Sequence, residues 1–320
     1  MCEVLFELTS YDGDFADGSL DPRAFAGYRQ TLTELEDLAE RSGAVFMTLG
    51  QYAAALQAED HVAPVISVGT ADGAAFSYTE TFTVDVEASD DLSGVHAVDI
   101  TLDGEEVTDG TTVELGGLAL GEHVLAVTAE DVAGNRSTSQ VTFTVIDDVA
   151  PEIAVAGPVA GTYLHHETVV VDVEVTDARS DVDEVVVTLD GEPVDDGAAI
   201  DLLDLTLGRH TVAVVATDVA GNRSQTSVTF TVEATIDSLR ATVERYVADR
   251  SITNPGTVTS LRQLLDATSS AFAAGQTGTA VNQLVAFENL LAAQSGRHVP
   301  ADVAGLLTTD STAVREPFAG

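Results

Sequence analysis

Alternation of apolar and polar residues dominates the middle of the chain. In residues 171–175 valines alternate with acidic side chains, and this period of two predicts a strand with one face buried. The β-branched run 185–189 predicts a strand buried on both faces, and it ends at Asp190 and Gly191, which signal a hairpin turn. Short strands separated by turns about every ten residues are typical of an immunoglobulin-like (Ig-like) sandwich.

An internal duplication covers these predicted strands. The motif Thr-Leu-Asp-Gly-Glu begins at Thr101 and again at Thr188, and Asp-Val-Ala-Gly-Asn-Arg-Ser begins at Asp131 and again at Asp218. The two copies of each motif are 87 residues apart. When residues 81–145 are aligned with residues 168–232 at this offset, 37 of the 65 residue pairs are identical. A repeat of this length is one structural unit used twice. The pattern therefore predicts two tandem all-β sandwiches.

The two copies, which we place at residues 63–147 and 148–234, resemble the bacterial Ig-like repeats of secreted glycan-active enzymes and surface proteins. The Asp-x-Ala-Gly-Asn turns at 131–135 and 218–222 carry the resemblance, together with the Leu-Asp-Gly turn of each copy. The resemblance implies a sandwich fold and an extracellular setting. It implies no particular chemistry.

The C-terminal part of the chain has helical periodicity instead. Apolar residues spaced three and four apart form three stripes between residues 236 and 291, and residues 300–307 predict a short fourth helix. Glycine and proline separate these segments. We expect a small α-helical bundle over residues 235–310, followed by a tail over residues 311–320.

Four segments of this bundle, residues 236–239, 261–267, 284–287 and 293–299, resemble the FIMAH domain. That domain occurs at the C-terminus of many secreted bacterial proteins. The resemblance implies a terminal module of a secreted protein and supplies no mechanism.

Residues 1–62 alternate between strand and helix patterns, which is typical of an α/β barrel-type fragment. The aromatic and acidic loop at 11–20, and the strand at 45–49 before Gln51, resemble the closing segment of a polysaccharide deacetylase. The resemblance implies a metal-binding Asp, two His and a catalytic Asp upstream of this segment, and the chain holds none of them. Glu7 stands where the family tends to carry a catalytic His. No hydrolase activity is therefore expected from this chain.

The charge belongs mainly to the duplicated region. The chain has 53 acidic residues against 13 basic ones, all of them Arg, and a net charge of −40. Residues 63–234 carry a net charge of −29, and residues 235–320 carry −2. This surface excludes affinity for a nucleic-acid backbone or an anionic membrane. No apolar run is long enough to span a bilayer, so membrane insertion is not expected, and residues 1–30 show no signal peptide.

Two adjacent histidines in the second copy are candidate zinc ligands. His165 and His166 beside Glu167 suggest zinc, but a zinc site needs three or four converging ligands, and the first copy has Tyr78 and Thr79 at the matching positions. We therefore expect these two histidines to be exposed at the start of a strand.

A second histidine position recurs in both copies. His123 and His210 follow a glycine at equal places in the repeat. Equal placement in a duplication favours a structural role over catalysis. The lone Cys2 cannot form an internal disulfide.

Four residues of the first copy could form a calcium site. Asp90, Asp91, Asp131 and Asn135 have the oxygen ligands that calcium prefers. The second copy keeps three of these four residues and has Ala178 in place of Asp91. Because Asp and Asn also bond the backbone of their own turns, turn capping is the favoured explanation and calcium binding stays open.

The chain has no nucleophile elbow, no phosphate-binding glycine loop and no HExxH helix. We therefore predict no catalytic, cofactor-binding or metal-binding residue and no cofactor. The favoured function is the non-catalytic C-terminal region of an extracellular polysaccharide-deacetylase-like protein, with the sandwiches as spacers or glycan-contacting domains and the helical module for attachment. The alternative is a non-enzymatic cell-surface or adhesion protein. We expect a monomer, located outside the cell or at its surface, whose partner is a polysaccharide or cell-envelope glycan. Whether Met1 is a true start stays open.

Overall fold

The computed structural model describes residues 59–70 and 72–318, together with the isolated positions 41, 51, 54 and 55. The predicted α/β fragment therefore lies outside the described residues, apart from residues 59–62 and those positions. The chain divides into two compact units. One holds most of the first sandwich, and the other holds the second sandwich and the helical module, with short segments of the first sandwich.

Short strands in a larger and two smaller sheets build the first sandwich. Its strands are β1 (Val65–Val68), β2 (Ala74–Ser77), β3 (Thr81–Thr83), β4 (Val86–Ser89), β5 (Val95–Leu102), β6 (Glu105–Val107), β7 (Thr112–Glu114), β8 (Gly121–Asp131) and β9 (Arg136–Ile146). The larger sheet has the order β2–β9–β8–β5–β6, and the pairs β1–β4 and β3–β7 form the smaller sheets.

The second sandwich repeats this arrangement strand by strand. Its strands are β10 (Glu152–Gly157), β11 (Thr162–Leu164), β12 (Thr168–Val170), β13 (Asp172–Thr176), β14 (Val182–Leu189), β15 (Glu192–Pro193), β16 (Ala199–Asp201), β17 (Gly208–Asp218) and β18 (Arg223–Glu233). The larger sheet has the order β11–β18–β17–β14–β15, with β11 parallel to β18, and the smaller sheets are β10–β13 and β12–β16. Two facing sheets with short connections form an Ig-like sandwich, as the sequence predicts.

Inward-facing side chains at matching positions fill the two cores. Phe230, Val212 and Val214 are buried in the second sandwich, where they share a core with Val171 between β12 and β13. Residues 87 positions earlier (Phe143, Leu125 and Val127) are buried in the first sandwich. The duplication therefore preserves the core, because core positions tolerate only side chains of similar volume.

The hairpin between β14 and β15 turns at the predicted dipeptide. Leu189 pairs with Glu192, so Asp190 and Gly191 form a two-residue loop. Both residues have positive φ, 54° for Asp190 and 89° for Gly191. Two-residue hairpins of this type need positive φ at both positions, which Asp and Gly supply at low cost. The predicted turn is confirmed.

The predicted double-sided burial of strand 185–189 is wrong. Val185 and Val186 are 42% and 41% exposed, whereas Val187 is buried. The larger sheet packs against the smaller sheets on one face only, and burial in β14 is concentrated in its last part. A run of valines alone does not distinguish this case from a strand covered on both faces.

Four helices, all within the described residues, form the C-terminal module. They are α1 (Ile236–Ala248), α2 (Pro255–Ala273), α3 (Thr277–Gln294) and α4 (Ala301–Arg315). The predicted stripes meet in one core that includes Leu239, Leu261, Leu265, Leu284 and Phe287.

The fourth helix is longer than the predicted segment 300–307. It continues to Arg315, and a 3-10 turn follows at Glu316–Phe318. Among the helices of the described residues, none is long and apolar enough to cross a membrane.

Candidate functional site

Each sandwich brings three aspartates together at one end. One carboxylate oxygen from each of Asp147, Asp177 and Asp218 lies within 4.8 Å of the others. The same holds for the residues 87 positions earlier, which are Asp60, Asp90 and Asp131. We call these groups the second and the first aspartate cluster. Both arise from three separate chain segments, so the fold rather than a local motif assembles them.

Three elements position the second cluster. Asp147 lies in the segment 147–151 that leads into β10, Asp177 follows β13, and Asp218 ends β17. Asp147 and Asp218 are only 8% and 1% exposed, and Asp177 is half-buried. Two of the three carboxylates are thus largely removed from water.

An asparagine ties the lead-in segment to the turn in each copy. The Asn222 side-chain amide donates to the backbone oxygens of Asp147 at 3.0 Å and Val149 at 3.4 Å, and to Asp218 Oδ2 at 2.8 Å. Its backbone N–H donates to Asp218 Oδ1 at 2.7 Å. These bonds explain why the Asp-x-Ala-Gly-Asn turn recurs in both copies.

The first copy repeats these contacts. Asn135 donates to the backbone oxygens of Asp60 at 3.1 Å and Val62 at 3.4 Å, and to Asp131 Oδ2 at 2.8 Å. Both carboxylate oxygens of Asp60 accept backbone N–H groups, Oδ1 from Val62 and Oδ2 from Ser93. The hydrogen bonds from Ser93 and Val62 lower the pKa of Asp60 below its ordinary value, so this carboxylate is charged.

The second cluster differs at the corresponding oxygen. Asp147 Oδ1 accepts the N–H of Val149 at 3.1 Å, but the buried Oδ2 has no hydrogen-bond partner. Asp177 Oδ1 accepts the N–H groups of Arg179 and Ser180. The Ser180 hydroxyl is also buried without a partner, although Ser180 occupies the repeat position of Ser93.

The charge of Asp218 is maintained despite its burial. Burial acts to raise the pKa of Asp218, but the hydrogen bonds from Asn222 outweigh it and hold the pKa below the ordinary value. A carboxylate charge at Asp218 therefore lies where water is largely excluded.

Turn capping, the favoured explanation for these residues, accounts for part of the geometry. Asp90 Oδ1 accepts the N–H groups of Leu92, Ser93 and Gly94. Asp91, the other acidic residue in the calcium alternative, is not a member of the cluster.

Asp60 and Asp147 were not predicted from the sequence as members of the clusters. Both precede the strands of their repeat by several residues and lie far along the chain from their partners. A signal for them exists, because they share the offset of 87 residues that relates the other cluster members.

His123 and His210 brace the Asp-Gly hairpins. His210 Nδ1 lies 2.6 Å from Asp190 Oδ2, and its Nε2 lies 2.7 Å from the backbone oxygen of Thr206. His123 Nδ1 lies 2.6 Å from Asp103 Oδ2. Burial acts to raise the pKa of Asp190, but the hydrogen bonds from His210 and Thr211 lower it overall. Each histidine ring thus contacts the hairpin of its own copy and has a structural role there.

The expectation that both histidines are exposed at the start of a strand is wrong, because His165 is buried and His166 is half-buried. The His165 side chain is 4% exposed, because the helical module covers it. Nδ1 lies 2.7 Å from Oδ1 of Asp310 on α4, and Nε2 lies 3.1 Å from the backbone oxygen of Leu205. The matching position in the first sandwich is Tyr78, and that sandwich has no helical module directly after it in the chain.

The neighbours of His165 favour its protonated form. Burial acts to lower the pKa of His165, but the hydrogen bond and negative charge of Asp310 outweigh burial and raise the pKa above 6.5. Both ring nitrogens face oxygen acceptors, so a ring protonated at both positions satisfies both contacts.

A second ion pair also joins the second sandwich to the helical module. Arg245 on α1 forms two hydrogen bonds with the carboxylate of Asp201, one of them at 2.9 Å. Asp201 Oδ1 also accepts the N–H of Leu203 at the start of a 3-10 turn. The second sandwich and the helical module are therefore held together by two charged contacts.

The interior of the second sandwich is filled by its own side chains. The apolar hollow lined by Pro158, Val171, Ile200 and Phe230 is too narrow for a water molecule. The clustered polar groups lie instead at the end of the sandwich and at the helical module.

Two family models match the chain. Residues 151–234 match the model of glucodextranase, domain B, and residues 236–316 match that of the FIMAH domain. The chain thus contains an Ig-like sandwich similar to glucodextranase domain B, followed by a module similar to the FIMAH domain, which confirms the latter resemblance. Neither model extends into residues 1–62, so the deacetylase resemblance stays a prediction. Among curated proteins no sequence matches the chain significantly.

Several solved structures match about half of the chain. The fibronectin(III)-like modules of Clostridium thermocellum CbhA are 19% identical, with coverage of 52% of this chain and 94% of that chain and a TM-score of 0.24. The titin domains Z1Z2, in complex with telethonin, are 16% identical, with coverages of 54% and 97% and a TM-score of 0.31. The protocadherin GammaB4 extracellular domain is 19% identical, with coverages of 54% and 32% and a TM-score of 0.25. The sandwich fold itself rests on the strand orders and on the domain B match.

Proposed function

We propose that this chain is a non-catalytic accessory region of an extracellular carbohydrate-active protein. The two sandwiches act as spacers or glycan-contacting modules, and the helical module is a terminal module for attachment or interaction. The protein works as a monomer outside the cell or at its surface.

The contact between the second sandwich and the helical module carries this proposal. The buried pair His165–Asp310 and the pair Asp201–Arg245 fix the helices to the sandwich at two points. A module fixed in this way is presented in a defined orientation by the domain that precedes it. Such presentation is what a spacer provides, whereas a flexible tether would leave the module free to rotate.

The family matches support the glycan setting. The model that matches residues 151–234 describes a domain of a glucodextranase, so a domain of this type occurs in an enzyme named for a glucan substrate. The finer proposal, that the protein is deacetylase-like, rests on the resemblance of residues 1–62. DNA sequence upstream of Met1 tests it, because an in-frame extension with the metal-binding Asp and His residues would support it, and a stop codon directly upstream would count against it.

A pull-down on insoluble polysaccharides tests the function. The full chain is incubated with chitin, xylan and cell-wall glycan, and bound protein is measured after sedimentation. Retention supports glycan contact, and no retention on any of them supports the spacer role. Release of acetate or reducing sugar from these polymers would overturn the non-catalytic assignment. Binding to intact cells, but to none of their isolated glycans, would favour the alternative of an adhesion protein.

A further inference from the structure

The second aspartate cluster has an oxygen that turn capping does not explain. Asp147 is 8% exposed, and its Oδ2 is buried without a hydrogen-bond partner. A buried acceptor left unpaired is destabilising, and such groups in native proteins are usually bonded to protein, water or an ion. The hydroxyl of Ser180, whose N–H bonds Asp177, is a second buried oxygen without a partner.

The surroundings of this oxygen are negatively charged. One oxygen each from Asp147, Asp177 and Asp218 lies within a 4.8 Å cluster, and Asp218 is almost fully buried. Close carboxylates that are withdrawn from water repel one another strongly unless a cation lies between them.

We propose that Asp147, Asp177 and Asp218 bind a calcium ion. Calcium takes six to eight oxygen ligands, including carboxylates, at about 2.3–2.6 Å. Three carboxylate oxygens within 4.8 Å of one another can all bind one calcium ion at these distances. Magnesium requires a nearly ideal octahedron and gives up its water ligands reluctantly, so a site built from protein carboxylates suits it less well.

The first cluster is expected to bind calcium more weakly. Asp60 occupies the position of Asp147, but its Oδ2 already accepts the N–H of Ser93 at 3.1 Å. A cation there would have to compete with that hydrogen bond.

Calcium at the second cluster would fasten the lead-in segment to the sandwich. Asp147 belongs to the segment before β10, whereas Asp177 and Asp218 belong to two loops of the sandwich. Asn222 already bridges the same parts through uncharged donors. The ion would add a charged bridge across the cluster, and its binding energy would add to the stability of the folded state.

Calorimetric titration of the full chain tests the proposal. Protein is stripped with a chelator and titrated with calcium and, separately, with magnesium up to about 5 mM, a range that includes the dissociation constants of extracellular calcium modules. We expect saturable calcium binding, a higher melting temperature with calcium, and weaker binding of magnesium.

Asparagine variants identify the site. Asp147→Asn and Asp177→Asn keep Oδ1 as a backbone acceptor but replace Oδ2 with an amide group that does not bind cations. Each is expected to weaken the tighter calcium site by at least about tenfold, the range seen for changes around metal sites. Asp183→Asn is the matched control, because it removes one exposed carboxylate from the same sandwich. Asp60→Asn should affect only the weaker site.

Three results would overturn the proposal. The first is the absence of both heat and thermal shift at the highest calcium concentration. The second is equal affinity for magnesium. The third is unchanged tight binding in Asp177→Asn, whose half-buried position makes it the variant to use if Asp147→Asn does not fold. Circular dichroism of each stripped variant establishes that it is folded before titration.

Discussion

At the level of single residues, one imidazole connects the second sandwich to the helical module. His165 follows β11, and its partner Asp310 lies 145 residues further on in α4, with no exposed surface. A buried ion pair offsets its own desolvation only when its geometry is good and its remaining polar atoms are bonded. Here Leu205 completes the contacts of the ring, whereas Oδ2 of Asp310 is buried and unpaired. The pair is therefore a sensitive point in the structure.

Substitution of His165 by Asn is expected to destabilise the chain by about 3 kcal/mol at mildly acidic pH, since removal of one partner leaves Asp310 buried and uncompensated. The pKa of His165 is higher in the folded than in the unfolded state. Its stabilising effect is thus fully present below about pH 6.5, the unfolded value, and is lost as the pH rises through the folded pKa. Urea unfolding of wild type and variant from about pH 5 to about pH 9 measures this.

The difference in the free energy of unfolding between wild type and His165→Asn separates the effect of His165 from that of the other titrating groups. Asp310 and Asp201 are the charged groups that raise its pKa, and both are present in each protein. His166→Asn is the matched control at the neighbouring position. A difference between wild type and His165→Asn that does not shrink with rising pH would contradict the assignment of a protonated His165.

Asn222 bonds the segment 147–151 to the turn at 218–222. Asn222→Ala removes the donor that bonds Asp147, Val149 and Asp218, and it leaves backbone oxygens near the cluster unpaired. We expect a loss of about 2 kcal/mol in the free energy of unfolding. Val219→Ala, at a side chain 66% exposed in the same turn, should change stability by less than about 0.5 kcal/mol. If chemical denaturation shows an equal loss in the free energy of unfolding for Asn222→Ala and Val219→Ala, the amide contacts do not contribute to stability.

At the level of elements, the start of α1 is set by a capping box. Thr235 accepts the N–H of Ser238 at 3.0 Å, and the Ser238 hydroxyl accepts the N–H of Thr235 at 2.7 Å. Only two residues therefore separate the end of β18 from the start of the helix, because the first free N–H groups of the helix are paired at once. Arg245 lies on this helix together with the buried Leu239 and Val243, so the start of the helix also sets the position of Arg245.

Thr235→Ala is expected to lower the free energy of unfolding by about 1 kcal/mol, the usual effect of removing a helix N-cap. Thr259 in α2 supplies the control, because its exposed hydroxyl bonds only the backbone oxygen of Pro255 within the same helix. Thr259→Ala should be neutral or slightly stabilising, since Ala has the higher helix propensity. Guanidinium unfolding of both variants measures this, and a larger loss in Thr259→Ala would contradict the capping role.

The same elements show which parts of the fold the sequence predicts. Alternation places Val173 and Val175 on one side of β13, and apolar stripes place Leu239, Leu261 and Leu284 in the helical core. These predictions succeed because each depends on the periodicity of one element. The burial of β14 depends on what covers its second face, and this is not recorded in its own residues.

The candidate site is harder to predict for a related reason. Asp218 and Asn222 lie in one turn, and their capping contacts follow from residue type. Asp147 lies 71 residues before Asp218 and 75 residues before Asn222, and His165 contacts Asp310 across 145 residues. Such convergence is produced by the packing of whole elements. The duplication is the exception, because the equal offset already links Asp60 with Asp147 in the amino-acid sequence.

At the level of the whole molecule, the negative charge is unevenly distributed. Residues 63–234 contain 33 acidic residues and four Arg, and residues 235–320 contain eight acidic residues and six Arg. In the helical module, Arg side chains pair with acids, as in Arg240–Asp266, Arg262–Glu244 and Arg315–Glu288. The sandwiches have too few Arg to pair their acids in this way. Their solvent-facing positions must therefore carry uncompensated charge.

This imbalance predicts that monovalent salt stabilises the protein. Like charges repel more strongly in the compact folded state than in the expanded unfolded state, and salt weakens that repulsion. The screening length falls from about 10 Å at 0.1 M salt to about 3 Å at 1 M, so the melting temperature should rise over this range, mostly in its lower half. Calorimetry in sodium chloride with a chelator present separates screening from any calcium effect. Asp99→Asn and Asp183→Asn together should reduce the salt dependence by removing two exposed charges. A melting temperature that stays flat or falls with salt would show that charge repulsion does not limit the stability of the sandwiches.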